Sequence, residues 1–153
     1  MGTKESQELW SSLNSNCKTI QEFLDDEQTM GKNYSSFFLT KETLEKSGNI
    51  LDIVTPDDKF SCCFTKAYRK FHRGTGSVLQ TQTPYQQPPI ARDIDNLLSL
   101  KLRYFTGNEM KRLLGFPESF TFPDSMSEKQ RTKLAGNISF LYILMFVSFM
   151  NRV

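Results

Sequence analysis

Several common signatures are missing from this sequence of 153 residues. The cysteines Cys17, Cys62 and Cys63 do not have the spacing of metal ligands, and the single histidine, His72, lies outside any Cys-x-x-Cys frame. An odd number of cysteines also argues against a disulfide framework and favours a reducing intracellular compartment. We therefore expect no metal site and a cytoplasmic or nuclear location, or both.

Long apolar segments are scarce as well. The first ten residues are polar and carry Lys4, Glu5 and Glu8, so they do not form a signal-peptide core. The run 138–150 is almost wholly apolar, but its length of about 13 residues falls short of the roughly 20 that a membrane-spanning helix needs. A buried terminal helix is the simpler interpretation, with a membrane tail as the alternative, and no membrane partner is expected.

Charge of one sign is not in excess either. The formal net charge of +2 is too small to indicate nucleic-acid binding by itself, so such a function must rest on local clustering. The hydrophobic fraction of 38% predicts a modest core. Aromatic residues make up 12% and include 13 phenylalanines, which supply large apolar groups and argue against disorder.

Local patterns predict where the helices begin. Three pairs have the spacing of a capping box, in which a hydroxyl and a carboxylate or amide satisfy each other's backbone donors: Thr19 with Glu22, Thr106 with Glu109, and Ser127 with Gln130. Thr40 precedes another helical segment that should end near Gly48. The apolar residues at 50–54 predict an extended segment closed by a turn at 55–58, and the alternation at 100–105 predicts a strand.

A stretch rich in proline and glutamine at 81–89 has the composition of a linker. We therefore divide the chain into a loose start (1–16), a first structured region (17–80), a linker (81–99) and a carboxyl-terminal segment (100–153). No internal repeat is present.

Cations and aromatic residues alternate between positions 66 and 73. The cationic or titratable residues are Lys66, Arg69, Lys70, His72 and Arg73, with Tyr68 and Phe71 among them. Cations pair with phosphates and aromatic rings stack on unpaired bases, which is a combination typical of RNA-loop recognition. The alternative is a solvated basic surface segment, as most charge runs are.

Two longer strings resemble a known family. The first reads Cys-Phe-Thr-Lys-Ala-Tyr at 63–68 and continues as Gly-Thr-Gly-Ser-Val-Leu-Gln at 74–80. The second reads Leu-Arg-Tyr-Phe-Thr at 102–106, followed by Leu-Leu-Gly-Phe-Pro at 113–117, Gln-Arg at 130–131 and Gly-Asn at 136–137. In order and spacing they resemble the tRNA cytosine-5 methyltransferases related to the DNA methyltransferases, and the second string looks like the ninth and tenth motifs of cytosine-5 methyltransferases.

The resemblance implies methyl transfer from S-adenosylmethionine to carbon 5 of a cytosine in the anticodon loop of tRNA, chiefly aspartate tRNA, with DNA as a possible further partner. It implies an α+β, mostly helical fold, in which 17–80 is a target-recognition region and 100–153 carries the ninth and tenth motifs. The catalytic Rossmann-like core of the S-adenosylmethionine-dependent fold is missing from the chain. The implied nucleic-acid contacts are Cys63, Phe64, Thr65, Lys66, Tyr68, Arg69, Lys70 and Arg73, and the implied cofactor contacts are Gly136, Asn137 and Ile138.

The catalytic elements of that family are absent from these 153 residues: no cysteine follows a proline, and there is no Glu-Asn-Val, Arg-x-Arg or Gly-x-Gly-x-x-Gly. We therefore assign no catalytic residue and expect the chain alone to be inactive, as a fragment, a truncated product or a partial gene model. A non-catalytic RNA- or protein-interaction module derived from the family is the alternative. Ile138 and Ala67 depart from the serine and glycine that are usual in the family.

Two smaller features have competing interpretations. Cys63 is either a small buried apolar residue or a supporting group near the target base. Gly74 and Gly76 fit a structural turn with positive φ better than a phosphate-binding loop, because Gly-Thr-Gly alone is a weak signal.

Overall fold

A computed structural model describes residues 17–26, 30–85 and 93–137. Its helices are α1 (Lys41–Ser47), α2 (Ile94–Ser99), α3 (Gly107–Leu113) and α4, of which the described part covers 128–137. Its strands are β1 (Ile53–Val54), β2 (Val78–Gln80) and β3 (Leu102–Arg103), and short 3-10 helices lie at Ile20–Phe23, Gly31–Phe37 and Gly48–Ile50. The start 1–16 and the apolar run 138–150 lie outside the described residues. Within the described ranges, no helix has both the length and the apolar character needed to cross a bilayer.

The predicted helix starts are confirmed. Thr106 Oγ1 accepts the Glu109 N–H at 3.0 Å while the Glu109 carboxylate accepts the Thr106 N–H at 2.8 Å, which makes a complete capping box. At Thr40, the hydroxyl accepts the Thr43 N–H at 3.2 Å and α1 begins there. The box at Thr19 opens a 3-10 helix that ends at Phe23 and not an α-helix.

The strands form a small mixed sheet in the order β1-β2-β3. β1 and β2 are parallel, with Ile53 opposite Val78, whereas β2 and β3 are antiparallel, with Gln80 opposite Leu102. The sequence predicts a strand over 100–105, but only Leu102–Arg103 pair as one, and residues 102–107 are buried without alternation. Alternation of exposure is lost because this segment is enclosed on both sides. The expected combination of helices with a small sheet is therefore present.

A buried ion pair joins β3 to the start of α3. Arg103 and Glu109 have side chains that are 4% and 0% exposed, and their two hydrogen bonds measure 2.9 Å (Nη1 to Oε2) and 2.7 Å (Nη2 to Oε1). The same carboxylate accepts the backbone N–H groups of Thr106 at 2.8 Å and Asp25 at 2.9 Å. A buried carboxylate with this many donors is well satisfied, so it fixes the 25–26 segment and α3 relative to the sheet.

A helix occupies part of the predicted linker. Asp93 accepts the Asn96 N–H at 2.8 Å and caps α2, and Leu97 is buried in the core. A Cβ added at Gly48 would lie 2.3 Å from Leu97 Cδ1, so α2 packs closely against the end of α1. Proline and glutamine are concentrated before residue 90, and the apolar residues beyond it have helical spacing. The boundaries of the four regions predicted from the sequence (1–16, 17–80, 81–99 and 100–153) stay a prediction.

Candidate nucleic-acid interface

The cationic segment 66–73, called here the basic turn, is closed at its base by backbone hydrogen bonds. The Thr65 N–H donates to the Thr75 carbonyl at 3.0 Å, and the Tyr68 N–H donates to the Thr65 carbonyl at the same distance. The Thr75 hydroxyl donates to the Phe71 carbonyl at 2.5 Å. Gly74 and Gly76 have φ values of +65° and +137°, which confirms their structural interpretation. The basic turn is therefore a defined loop.

Two aromatic residues of the first string, one just before the basic turn and one within it, point into the core. Phe64 and Tyr68 are 2% and 6% exposed, and their rings meet edge to face with centroids 5.1 Å apart. The Tyr68 hydroxyl donates to the Ser77 carbonyl at 2.7 Å and accepts the Phe105 N–H at 3.0 Å. Burial raises the pKa of Tyr68 well above its ordinary value, so the phenol stays protonated. Direct nucleic-acid contact by Phe64 and Tyr68 stays a prediction, but their rings lie in the core and offer no exposed stacking face.

Arg69 fastens the basic turn to the rest of the fold. Its guanidinium carbon lies 5.2 Å from the centroid of the Phe37 ring and 5.1 Å from that of Tyr104, and its Nη2 donates to the Ser36 carbonyl at 3.1 Å. Its backbone is left-handed, with φ of +68°, which is unfavourable for a residue with a Cβ. These contacts hold a strained conformation, so we interpret Arg69 as an anchor of the turn.

His72 is a second anchor on the same tyrosine. Its Nε2 lies 2.7 Å from the Tyr104 hydroxyl, and the two rings are stacked with centroids 6.2 Å apart. Burial lowers the pKa of His72 below its ordinary value and raises that of Tyr104, although Arg69 opposes the second shift. Both rings are therefore neutral near pH 7, and a neutral hydrogen bond joins them.

The remaining charged side chains of the basic turn face solvent. Lys66, Lys70 and Arg73 are exposed, and none of them forms an ion pair with another described residue. No aspartate or glutamate occurs in the sequence between positions 59 and 92. Phe71 is 58% exposed beside Lys70, whose Nζ lies 5.2 Å from the ring centroid. The outer side of the turn is therefore a positively charged surface with one aromatic side chain.

The two strings that carry the family resemblance meet at Gly136. A Cβ added there would lie 2.2 Å from the Thr65 carbonyl carbon, 2.3 Å from its oxygen and 2.6 Å from the Lys66 nitrogen. Only a glycine allows α4 to approach the base of the basic turn so closely. Asn137 is exposed at the end of the described part of α4, and Ile138 lies outside the described residues. Cofactor contact by Gly136, Asn137 and Ile138 stays a prediction.

All three cysteines are free and exposed. Cys63 is exposed, so the interpretation of this residue as a buried apolar group is wrong. Its neighbour Cys62 has a raised pKa because of partial burial and the adjacent Asp52 carboxylate, which keeps that thiol protonated. Among the residues described, no group of three or more histidine, cysteine, aspartate or glutamate side chains could hold a metal ion.

Sequence patterns did not reveal the anchors of the basic turn. From the sequence, Arg69 and His72 belong to the cationic segment at 66–73. In the structure both contact Tyr104, which lies more than thirty positions away in the chain. The only local signal was the alternation of aromatic and cationic residues, which does not distinguish inward from outward side chains.

Comparison with known proteins supports the resemblance. The family model described as C-5 cytosine-specific DNA methylase matches residues 3–139. The human tRNA (cytosine(38)-C(5))-methyltransferase is 40% identical over 129 residues, which cover 78% of this chain and 32% of that protein. A Dictyostelium discoideum DNA (cytosine-5)-methyltransferase is 36% identical over 121 residues, covering 79% of this chain and 31% of that protein. The chain thus spans about a third of the length of these relatives.

A solved structure agrees with these sequence relatives. The crystal structure of the Schizosaccharomyces pombe Dnmt2 methyltransferase superimposes with a TM-score of 0.67 at 34% sequence identity, covering 86% of this chain and 42% of that chain. The family model spans both of the strings that meet at Gly136. The chain belongs to the C-5 cytosine-specific DNA methylase family.

Proposed function

We propose that this chain supplies the RNA-contacting part of a tRNA cytosine-5 methyltransferase that acts on an anticodon-loop cytosine of aspartate tRNA. The observation that carries the proposal is the contact of Gly136 with Thr65 and Lys66, because it joins the two family strings directly beside exposed cations that form no ion pair with another described residue. The name of the human relative supports tRNA as the substrate, and that of the Dictyostelium relative supports DNA as a further partner.

Within this proposal, the residues of the basic turn have two kinds of role. Lys66, Lys70 and Arg73 contact RNA phosphates, since they are exposed cations without acidic neighbours in the sequence. Arg69 and His72 keep the turn in place through Tyr104. Because the 153 residues contain no Pro-Cys dipeptide, we propose that the chain alone binds tRNA without methylating it.

The methyl donor of the proposed reaction is S-adenosylmethionine, which C-5 cytosine methyltransferases generally use. The Thr65 backbone fills the space on one side of the Gly136 Cα, and Asn137 is exposed. Gly136, Asn137 and Ile138 are the residues proposed to contact the cofactor.

Neutralising the exposed cations tests the proposed RNA contact. In the variant Lys66→Gln/Lys70→Gln/Arg73→Gln, we expect weaker binding of unmodified aspartate tRNA and a shallower dependence of affinity on salt. Each phosphate contact contributes about 0.7–0.9 to the slope of log affinity against log salt, so losing three should reduce the slope by roughly 2–3. Filter binding or fluorescence anisotropy over a salt series measures both quantities.

A matched control is available on α4. Lys133 is also exposed but lies outside the basic turn, and Lys133→Gln should leave the affinity and the salt slope close to those of the unaltered chain. An unchanged slope in the triple variant would reject the basic turn as the phosphate-contacting surface. A loss per removed charge in the Lys133 variant as large as that in the triple variant would show that general charge, rather than this surface, drives binding.

A further inference from the structure

Phe71 is an exposed aromatic residue whose backbone is fixed. Its N–H donates to the Ala67 carbonyl at 3.1 Å, and its own carbonyl accepts the Thr75 hydroxyl at 2.5 Å. The side chain nevertheless remains 58% exposed. The ring is therefore held by its backbone while it stays accessible to a partner.

The neighbours of Phe71 explain why the ring points outward. Arg69 and His72, on either side of it in the chain, both contact Tyr104 and occupy the inner side of the basic turn. Phe64 and Tyr68 fill the core beneath the turn. Phe71 is therefore presented on the outer side together with Lys70, whose ammonium lies over the ring.

We propose that the Phe71 ring stacks on an unpaired base of the bound RNA while Lys70 and its neighbouring cations contact the flanking phosphates. An exposed cation indicates an anionic partner, and an exposed flat apolar ring indicates a partner with a flat apolar face. Single-stranded nucleic acid offers both along one backbone, and stacking on aromatic side chains is its usual mode of recognition. This inference rests on the proposed function and assigns the base contact to Phe71 rather than to the buried Tyr68.

Other anionic partners match the surface less well. A paired RNA helix presents phosphates, but its bases are stacked inside and offer no free face to a phenylalanine. An acidic peptide would pair with the cations but leave the ring without a matching flat surface. The base-stacking assignment therefore predicts a difference between looped and fully paired RNA that depends on Phe71.

The variant Phe71→Leu tests this assignment because it removes the aromatic ring and keeps an apolar side chain. With the 153-residue chain, binding is measured to a stem–loop RNA and to a fully paired RNA of equal length. We expect the stem–loop affinity to fall by roughly 5- to 150-fold, with duplex affinity and the salt slope unchanged. Phe71→Trp should restore stem–loop binding, because tryptophan also stacks.

A matched control is Phe60→Leu, since Phe60 is 59% exposed but lies outside the basic turn, and we expect it to leave stem–loop affinity unchanged. If Phe71→Leu binds the stem–loop as well as the unaltered chain while the triple cation variant does not, base stacking is rejected and the proposed RNA contact stands. If the triple variant also binds normally, the proposed contact surface itself fails. Equal losses on loop and duplex, or competition by polyglutamate as strong as that by single-stranded RNA, would also overturn the stacking assignment.

Discussion

Replacing Gly136 with alanine should force α4 away from the base of the basic turn. The added methyl group would lie 2.2 Å from the Thr65 carbonyl carbon and 2.3 Å from its oxygen, far inside the roughly 3.5–4.0 Å of a normal contact. Overpacking costs about 1–3 kcal/mol, and the upper end applies here because the opposing atoms belong to the backbone and cannot rotate away. Alanine favours a helix over glycine by about 0.5–1 kcal/mol, so we expect a net loss of about 2 kcal/mol in the free energy of unfolding.

Urea unfolding followed by circular dichroism measures this loss, which should appear as a decrease of roughly 1 M in the midpoint. The matched variant is Gly48→Ala, whose added methyl group would lie 2.3 Å from Leu97 Cδ1. That contact is with the end of a side chain, which can change rotamer at a cost of about 0.5–1.5 kcal/mol, and alanine again favours the helix, so the net loss should be small. A midpoint for Gly136→Ala at or above that of the unaltered chain, or a larger loss for Gly48→Ala, would refute the packing argument.

Two further predictions concern buried and partly buried titratable groups. In Glu109→Gln the Arg103 guanidinium stays buried without its carboxylate, so the free energy of unfolding measured with urea should fall by about 3–5 kcal/mol. Glu42→Gln, which removes the exposed ion pair with Lys46, is the control and should leave the urea midpoint unchanged. Burial lowers the pKa of His72 from 6.5, so the folded state binds fewer protons than the unfolded one; His72 should therefore make stability fall as the pH drops below about 6.5. Thermal unfolding at neutral pH and near pH 5 measures this fall in stability. If the unfolding temperature of His72→Gln falls between the two pH values as much as that of the unaltered chain, the prediction is contradicted.

Helix starts could be predicted from the sequence because both partners of a capping box lie within three positions of each other. Thr106 and Glu109 illustrate this, since the pattern, the reciprocal hydrogen bonds and the start of α3 all coincide. What the pattern did not indicate is that the same carboxylate also holds Arg103 and the Asp25 N–H. Those partners come from separate segments, and their arrangement depends on the packed sheet.

The direction of each aromatic side chain in the candidate site could not be predicted. Tyr68 and Phe71 both lie among cations, yet Tyr68 is buried and Phe71 is exposed. The difference arises from Gly76, where an added Cβ would lie 2.6 Å from the Phe64 ring and 2.8 Å from that of Tyr68, and from the Phe105 N–H that binds the Tyr68 hydroxyl. Such complementarity is decided by tertiary packing, which a pattern of residue types does not encode.

The anchors of the basic turn have a consequence for biosynthesis. Tyr104 and Gly136 lie downstream of the turn, so a ribosome synthesises the cations well before the residues that fix their geometry. The hydrogen bonds that close the turn, between Thr65 and Thr75 and between Phe71 and Thr75, need only residues up to position 75. The contacts of Arg69 and His72 with Tyr104, and of Thr65 with Gly136, form only after translation has passed positions 104 and 136.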